Sequence, residues 1–104
     1  MIRVTILYPN KPGAKFDFDY YFNQHMKMAN EKFGPMGLVK GEVDKGLGGM
    51  AADSPPPYVI LAHMVFNSME DFLKAYAAHG EELAADMPNF TNIEPQVQIS
   101  EILT

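Results

Sequence analysis

Tyr58–Phe66, YVILAHMVF, is the most apolar segment of the chain. Its two alternating sets, Tyr58/Ile60/Ala62/Met64/Phe66 and Val59/Leu61/His63/Val65, would both be buried, which reads as a central strand covered on each face. Ile2–Tyr8 (IRVTILY) alternates Ile2, Val4, Ile6 and Tyr8 against Arg3, Thr5 and Leu7, and Pro9-Asn10 ends it; it is a second fairly apolar strand. The two other strand-like stretches are more polar. Gly37–Gly46 (GLVKGEVDKG) carries charges and an internal Gly, and Glu94–Leu103 (EPQVQISEIL) sets Val97 and Ile99 against Gln96, Gln98 and Ser100. Charges and Gly suit sheet edges, where they also discourage stray pairing.

Two helical stretches separate these strands. In Phe16–Pro35 (FDFDYYFNQHMKMANEKFGP) the residues Phe18, Tyr21, Phe22, His25, Met26, Ala29 and Phe33 fall at steps of three and four, one continuous face. Asp17 is placed to cap its first amides, Phe16 and Tyr21 occupy the positions of a hydrophobic staple, and Asp19 favours the positive end of the helix. Gly34 is expected as a left-handed cap, with Pro35 as the stop. Ser68 caps a second helix whose face is Phe72, Leu73, Tyr76, His79 or Gly80, and Leu83, with Gly80 expected to bend or break it and Met87-Pro88-Asn89 to close it. Leu47–Pro57 (LGGMAADSPPP) is a long loop with a stiff polyproline end.

The order is βαββαβ. Right-handed crossovers then give an antiparallel four-stranded sheet in the order 4-1-3-2, a ferredoxin-like α+β sandwich spanning residues 1–104 as one domain. The polarity agrees, since the two apolar strands become the central pair. Two helices cover only one sheet face, yet the third strand is apolar on both. An exposed apolar face marks an interface, so a homodimer packed sheet face to sheet face with twofold symmetry is expected.

Composition narrows the partners. With 8 Lys+Arg against 13 Asp+Glu the net charge is −5, which repels phosphate backbones and argues against nucleic acid. The absence of Cys removes disulfides, thiolate nucleophiles and Cys-bound zinc. Met1-Ile2-Arg3-Val4 runs straight into strand-like sequence and no apolar run is long enough for a bilayer, so no membrane partner and a cytoplasmic location are expected.

With these elements placed, the sequence resembles the EthD-type family of dimeric α/β-barrel proteins over nearly its whole length. The marks are LYPN at Leu7–Asn10, FDFDYYFNQHM at Phe16–Met26, GPMGL at Gly34–Leu38 and DMPNFTNIEPQVQISEIL at Asp86–Leu103. The resemblance implies the ferredoxin-like fold, the dimer, and a small-molecule cavity between sheet and helices. The family is named for a protein required beside a cytochrome P450 system in ethyl tert-butyl ether degradation, which implies an oxygenase as a partner. Related barrels include cofactor-less monooxygenases, polyketide cyclases, lactone isomerases and haem-handling enzymes. This chain departs from the family pattern at Lys27, where Pro usually follows the His-Met pair, and at Met87, where Ile is commoner.

The candidate chemistry centres on His25, one helical turn past Tyr21, so that an imidazole and a phenol can meet on an aromatic face. That pair suits proton transfer to or from a phenol or enol, with His25 as general acid/base and Tyr21 as its hydrogen-bonding partner. Phe22, Met64, Tyr76 and His79 are the expected contacts to a small apolar or aromatic substrate, and the Met-rich composition suits an adaptable pocket. His63 is expected at the sheet–sheet interface. No His-x-His or HExxH spacing points to a metal, and no cofactor is expected. The alternatives are a non-catalytic binding or delivery module and a haem-handling protein.

Overall fold

The computed structural model describes residues 1–104. Strands β1 (Ile2–Pro9), β2 (Leu38–Lys45), β3 (Tyr58–Phe66) and β4 (Gln96–Glu101) form one antiparallel sheet in the order β2-β3-β1-β4. This is the expected 4-1-3-2 order read from the opposite edge. The first helix, α1, runs through three contiguous segments, Phe18–Tyr20, a π-helical Tyr21–His25 and an α-helical Met26–Phe33. The second helix, α2, is Met69–Asp86.

Pleating decides which side chains meet the helices. On β1 and β3, Val4 pairs with Met64, Ile6 with Ala62 and Tyr8 with Ile60, all turned to the helical side. The edge strands β2 and β4 are mostly exposed, as their polarity implies. The core falls into two clusters. Tyr8, Tyr21, Ile60, Ala62, Phe90 and Ile93 form one, and Val4, Phe33, Phe66, Phe72 and Ala75 the other. Each fully buried Phe or Ile here contributes about 1.5–3 kcal/mol relative to an exposed one.

The helix starts follow the local sequence. Asp17 accepts a hydrogen bond from the Tyr20 amide, and the Phe16 and Tyr21 rings meet at 5.0 Å as a staple should. Ser68 adopts extended backbone and its Oγ accepts from the Asp71 amide. The ends differ from expectation. Gly34 is right-handed helical, and a 3₁₀ turn, Gly34–Met36, carries the chain on to Gly37, which is the left-handed residue at φ 102°. Pro35 stops the α-helix but is compatible with the next turn, which moves the reversal three residues along. Nor does Gly80 break α2. The helix is continuous, and the Tyr76 ring lies against Gly80 where a Cβ would stand 2.9 Å from it.

The segment before α1 is tied to the segment before β4. The Asp17 amide donates to the Phe90 carbonyl, Thr91 Oγ1 donates to the Lys15 carbonyl, and Asn92 Nδ2 donates to that of Gly13. Thr91 Oγ1 also accepts from the Ile93 amide, so Asn and Thr of the PNFTN run shape the turn. Loop 47–57 folds on itself through Ser54 and is anchored by Asn10, whose amide donates to the Pro57 carbonyl.

The shifted turn has a thermodynamic consequence. At Gly37 an Ala would be strained by its positive φ and would meet the Asp71 carboxylate at 2.7 Å, so Gly37→Ala should cost about 1–3 kcal/mol. At Gly34 a Cβ meets nothing within 4 Å, so Gly34→Ala should be neutral or stabilise by up to about 1 kcal/mol. Denaturant unfolding of the two variants checks this; the reverse order would put the left-handed turn at Gly34.

Candidate functional site

The π-helical stretch sets the site. Buried Tyr21, His25, Ala29 and Phe33 are spaced by four throughout, and in a pure α-helix such a repeat drifts by roughly 40° per step. The wider π turn, in which the Met26 amide donates to the Tyr21 carbonyl, turns the row back toward the sheet. Within this turn the Tyr21 and His25 rings stack at 5.6 Å with 20° between planes, and Phe90 closes on His25 at 4.6 Å. Extra-residue turns of this kind recur at functional sites.

Tyr21 stacks on His25 rather than hydrogen-bonding to it. The partner is Asp86, the last residue of α2, whose Oδ2 lies 2.9 Å from His25 Nδ1. Oδ1 of the same carboxylate accepts from the Tyr20 hydroxyl at 2.5 Å and from Asn89 Nδ2 at 3.0 Å. Burial acts to raise the Asp86 carboxyl, but the hydrogen bonds from Tyr20, Asn89 and His25 outweigh it and hold the group below its ordinary 3.8. Tyr20 is pushed up, first by its hydrogen bond to Asp86. An ionised carboxylate can only accept, so His25 Nδ1 carries a hydrogen and, in the neutral ring, Nε2 holds the lone pair. Asp86 was not picked out from the sequence. A signal was there: an acidic residue at a helix C-terminus opposes the helix dipole unless something compensates it.

Between the two core clusters lies a cavity of about 180 Å³, walled by both helices and the sheet. Fifteen of its twenty-one lining residues are hydrophobic, so it suits an apolar guest. Its polar side includes His25, Tyr21 and Tyr8, the last from β1. Of the sequence-selected residues, Tyr21, His25, Met64 and Tyr76 line this space, and Tyr76, 57% exposed, stands at its rim. Phe22 and His79 do not line it. Phe22 turns outward beside Tyr21, and His79 Nδ1 pairs with Glu82 Oε1 at 2.7 Å one turn further along α2. His63 also borders the cavity, but its ring is bonded to Thr5 Oγ1 and Asp44 Oδ2, both at 3.2 Å, on the sheet face that no helix covers. Met87 lines the cavity, whereas Lys27 is on the exposed side of α1. Loop 47–57 contributes nothing to the lining. No group of three or more His, Asp or Glu side chains converges to hold a metal ion, and no helix is long and apolar enough to cross a membrane.

Comparison with known proteins sets this architecture in a family. The EthD domain model matches residues 13–94, from the loop before α1 to the segment before β4. The chain belongs to the EthD family. An EthD-like protein from Ralstonia eutropha JMP134 has 38% sequence identity and a TM-score of 0.93, over 99% of this chain and 92% of that one. An EthD family protein from Bacillus halodurans C-125 shares the fold at 20% identity and a TM-score of 0.68, with 99% of each chain covered. A dimeric ferredoxin-like protein from an uncultured marine organism shares it at 9% identity and a TM-score of 0.57, over 100% of this chain and 96% of that one. No match to a curated protein was found.

Asp86 should govern stability at acid pH. Folding holds its carboxyl below 3.8, so its contribution is whole above that value and fades as pH falls through the folded-state value. Replacing it leaves the Tyr20 and His25 donors unpaired, and Asp86→Ala should cost about 2–4 kcal/mol at pH 7. In chemical denaturation the gap between wild type and Asp86→Asn should narrow as pH drops below about 4; a gap independent of pH would refute the assignment.

Proposed function

We propose that this EthD-family protein binds a compact, largely apolar or aromatic molecule between sheet and helices and moves a proton on it. His25 is the acid/base group and Asp86 its positioning partner. The observation that carries this reading is the 2.9 Å contact from Asp86 Oδ2 to His25 Nδ1 at the edge of an apolar cavity. A carboxylate on Nδ1 fixes the ring's tautomer and orientation and stabilises the imidazolium formed when Nε2 takes a proton. The apolar surroundings strengthen that interaction, and stacking on Tyr21 and contact with Phe90 keep the ring from swinging away. Met64 on the sheet and Tyr76 at the rim supply contact surface for the guest. The cavity volume suits one or two fused rings better than a macrocycle.

Two copies are proposed to pair through the uncovered sheet face. Half-buried Leu7, Val59 and Leu61 lie there around the Thr5–His63–Asp44 chain of hydrogen bonds, with no helix over them. The fold's occurrence in a protein described as dimeric fits this. Leu61→Glu should shift the chain from dimer to monomer in sedimentation velocity; an unchanged sedimentation coefficient would remove this face from the interface.

Proton transfer can be read with a simple carbon acid. With 2-tetralone in D₂O, the wild-type protein should accelerate α-proton exchange seen by NMR, and His25→Ala should lower the rate by roughly 100-fold or more. Asp86→Asn should lower it by about 10- to 100-fold. Exchange at equal rates with wild type and His25→Ala would overturn the reading.

A further inference from the structure

Two other polar groups at the cavity have no assigned task. Tyr8 is 2% exposed and Tyr21 1%, and both line the cavity. The chain's side-chain hydrogen bonds engage Tyr20 through its hydroxyl but neither Tyr8 nor Tyr21. Even so, no fully sealed polar atom lacks a partner anywhere in the chain. Both hydroxyls therefore reach open space, and the space their buried rings border is the cavity. The same accounting applies to His25 Nε2, since His25 is engaged only through Nδ1. Three buried hydrogen-bonding groups with no intramolecular partner thus meet a pocket that is otherwise mainly apolar, apart from Asn30 and Tyr76 at its exposed side.

Their arrangement is specific. The Tyr8 and Tyr21 rings come from different elements, β1 and α1, and meet edge to face at 6.1 Å with 80° between planes. Tyr21 also stacks on His25. Burial pushes the Tyr8 hydroxyl up to about 12, and burial, with the Tyr8 charge as a lesser cause, pushes Tyr21 higher still. Both therefore remain protonated donors over the physiological range. Two neutral donors beside one lone-pair nitrogen match a substrate that carries an oxygen next to an acidic C–H.

We propose that Tyr8 and Tyr21 form a two-donor cradle for the carbonyl oxygen of a compact enolisable ketone, with His25 Nε2 facing the adjacent carbon. This rests on the proton-transfer reading above and adds the substrate class. In the step, Nε2 takes the α-proton, the C–H electron pair becomes the new C=C bond, and the C=O π pair moves onto oxygen. The resulting enolate oxygen accepts from both tyrosine hydroxyls. The imidazolium, held by Asp86, then returns its proton to oxygen or to a conjugated carbon, giving the enol or a shifted isomer. No oxidant or reductant is needed.

The cradle and the base can be tested apart. 2-Naphthol has the skeleton and oxygen position of the 2-tetralone enol, and naphthalene lacks the oxygen. Calorimetric or fluorescence titration should show 2-naphthol binding at least about tenfold more tightly than naphthalene to the wild type. Tyr8→Phe and Tyr21→Phe should each reduce that preference several-fold, and the double variant should abolish it while naphthalene affinity stays unchanged. Thermal melting should be unaffected or slightly raised, because each substitution deletes only a hydroxyl with no partner in the chain. Absence of 2-naphthol binding to the wild type, or a preference that survives in the double variant, overturns the cradle. His25-dependent exchange of 2-tetralone that is indifferent to both tyrosines overturns the cradle alone and leaves the proton transfer standing. A tyrosine-dependent binding preference without exchange does the reverse.

Discussion

The carboxylate of Asp86 joins the two halves of the molecule. It ends the second helix, yet three of its hydrogen-bond donors come from elsewhere, the Tyr20 hydroxyl and His25 Nδ1 on the first helix and Asn89 in the turn beyond. Few other polar contacts link the helices; Lys32 and Glu82 pair across them at 3.7 Å but are well exposed, and such pairs contribute little. The Asp86 contacts are shielded and one-sidedly satisfied, with donors pointing at an acceptor that has no competing donor of its own. They hold the start of α1 against the end of α2, beside the cavity that both helices line.

Burial and chemistry share the same aromatic residues. Phe16, Tyr21 and Phe90 surround Tyr8 with ring centroids 5.2–6.2 Å apart. Such pairs each add about 0.5–1.5 kcal/mol beyond their area. The cluster gives rigid positions to Tyr8, Tyr21 and His25, all of which line the cavity. The proposed general base has to be held in direction as well as supplied, and a stacked phenol, a tilted Phe and a carboxylate restrain the His25 imidazole from three sides. This is a preorganised site on a helix and a strand rather than on a loop.

Much of this architecture was legible in the residues, because hydrophobic periodicity and helix capping are local. The two-sided apolarity of Tyr58–Phe66 identified a central strand, and the charged stretch around Lys40–Asp44 identified an edge, so the sheet order followed. Asp17 and Ser68 stood out as caps because their side chains bond amides three residues on. What escaped was non-local or a matter of small balances. Gly34 and Gly37 both satisfy the rule for a left-handed cap, and only the extra turn allowed by Pro35 separates them. Gly80 reads as a helix breaker until the Tyr76 ring is seen packed over it. The π-helical turn has no evident sequence mark. Tyr21 was expected to bond His25 since they are one turn apart, whereas the actual acceptor lies sixty-one residues away. The family marks include Asp86, but pattern alone assigns it no task; the fold does.

The proposed role of His25 requires that Asp86 fix its ring with a bare Nε2 toward the cavity. Long-range ¹H–¹⁵N NMR of the imidazole rings at neutral pH tests it directly. In its neutral form the His25 ring should carry its hydrogen on Nδ1, against Asp86 Oδ2, with an unprotonated Nε2 whose resonance moves when 2-naphthol is added. A ring protonated on Nε2, or an Nε2 resonance indifferent to that guest, would contradict it.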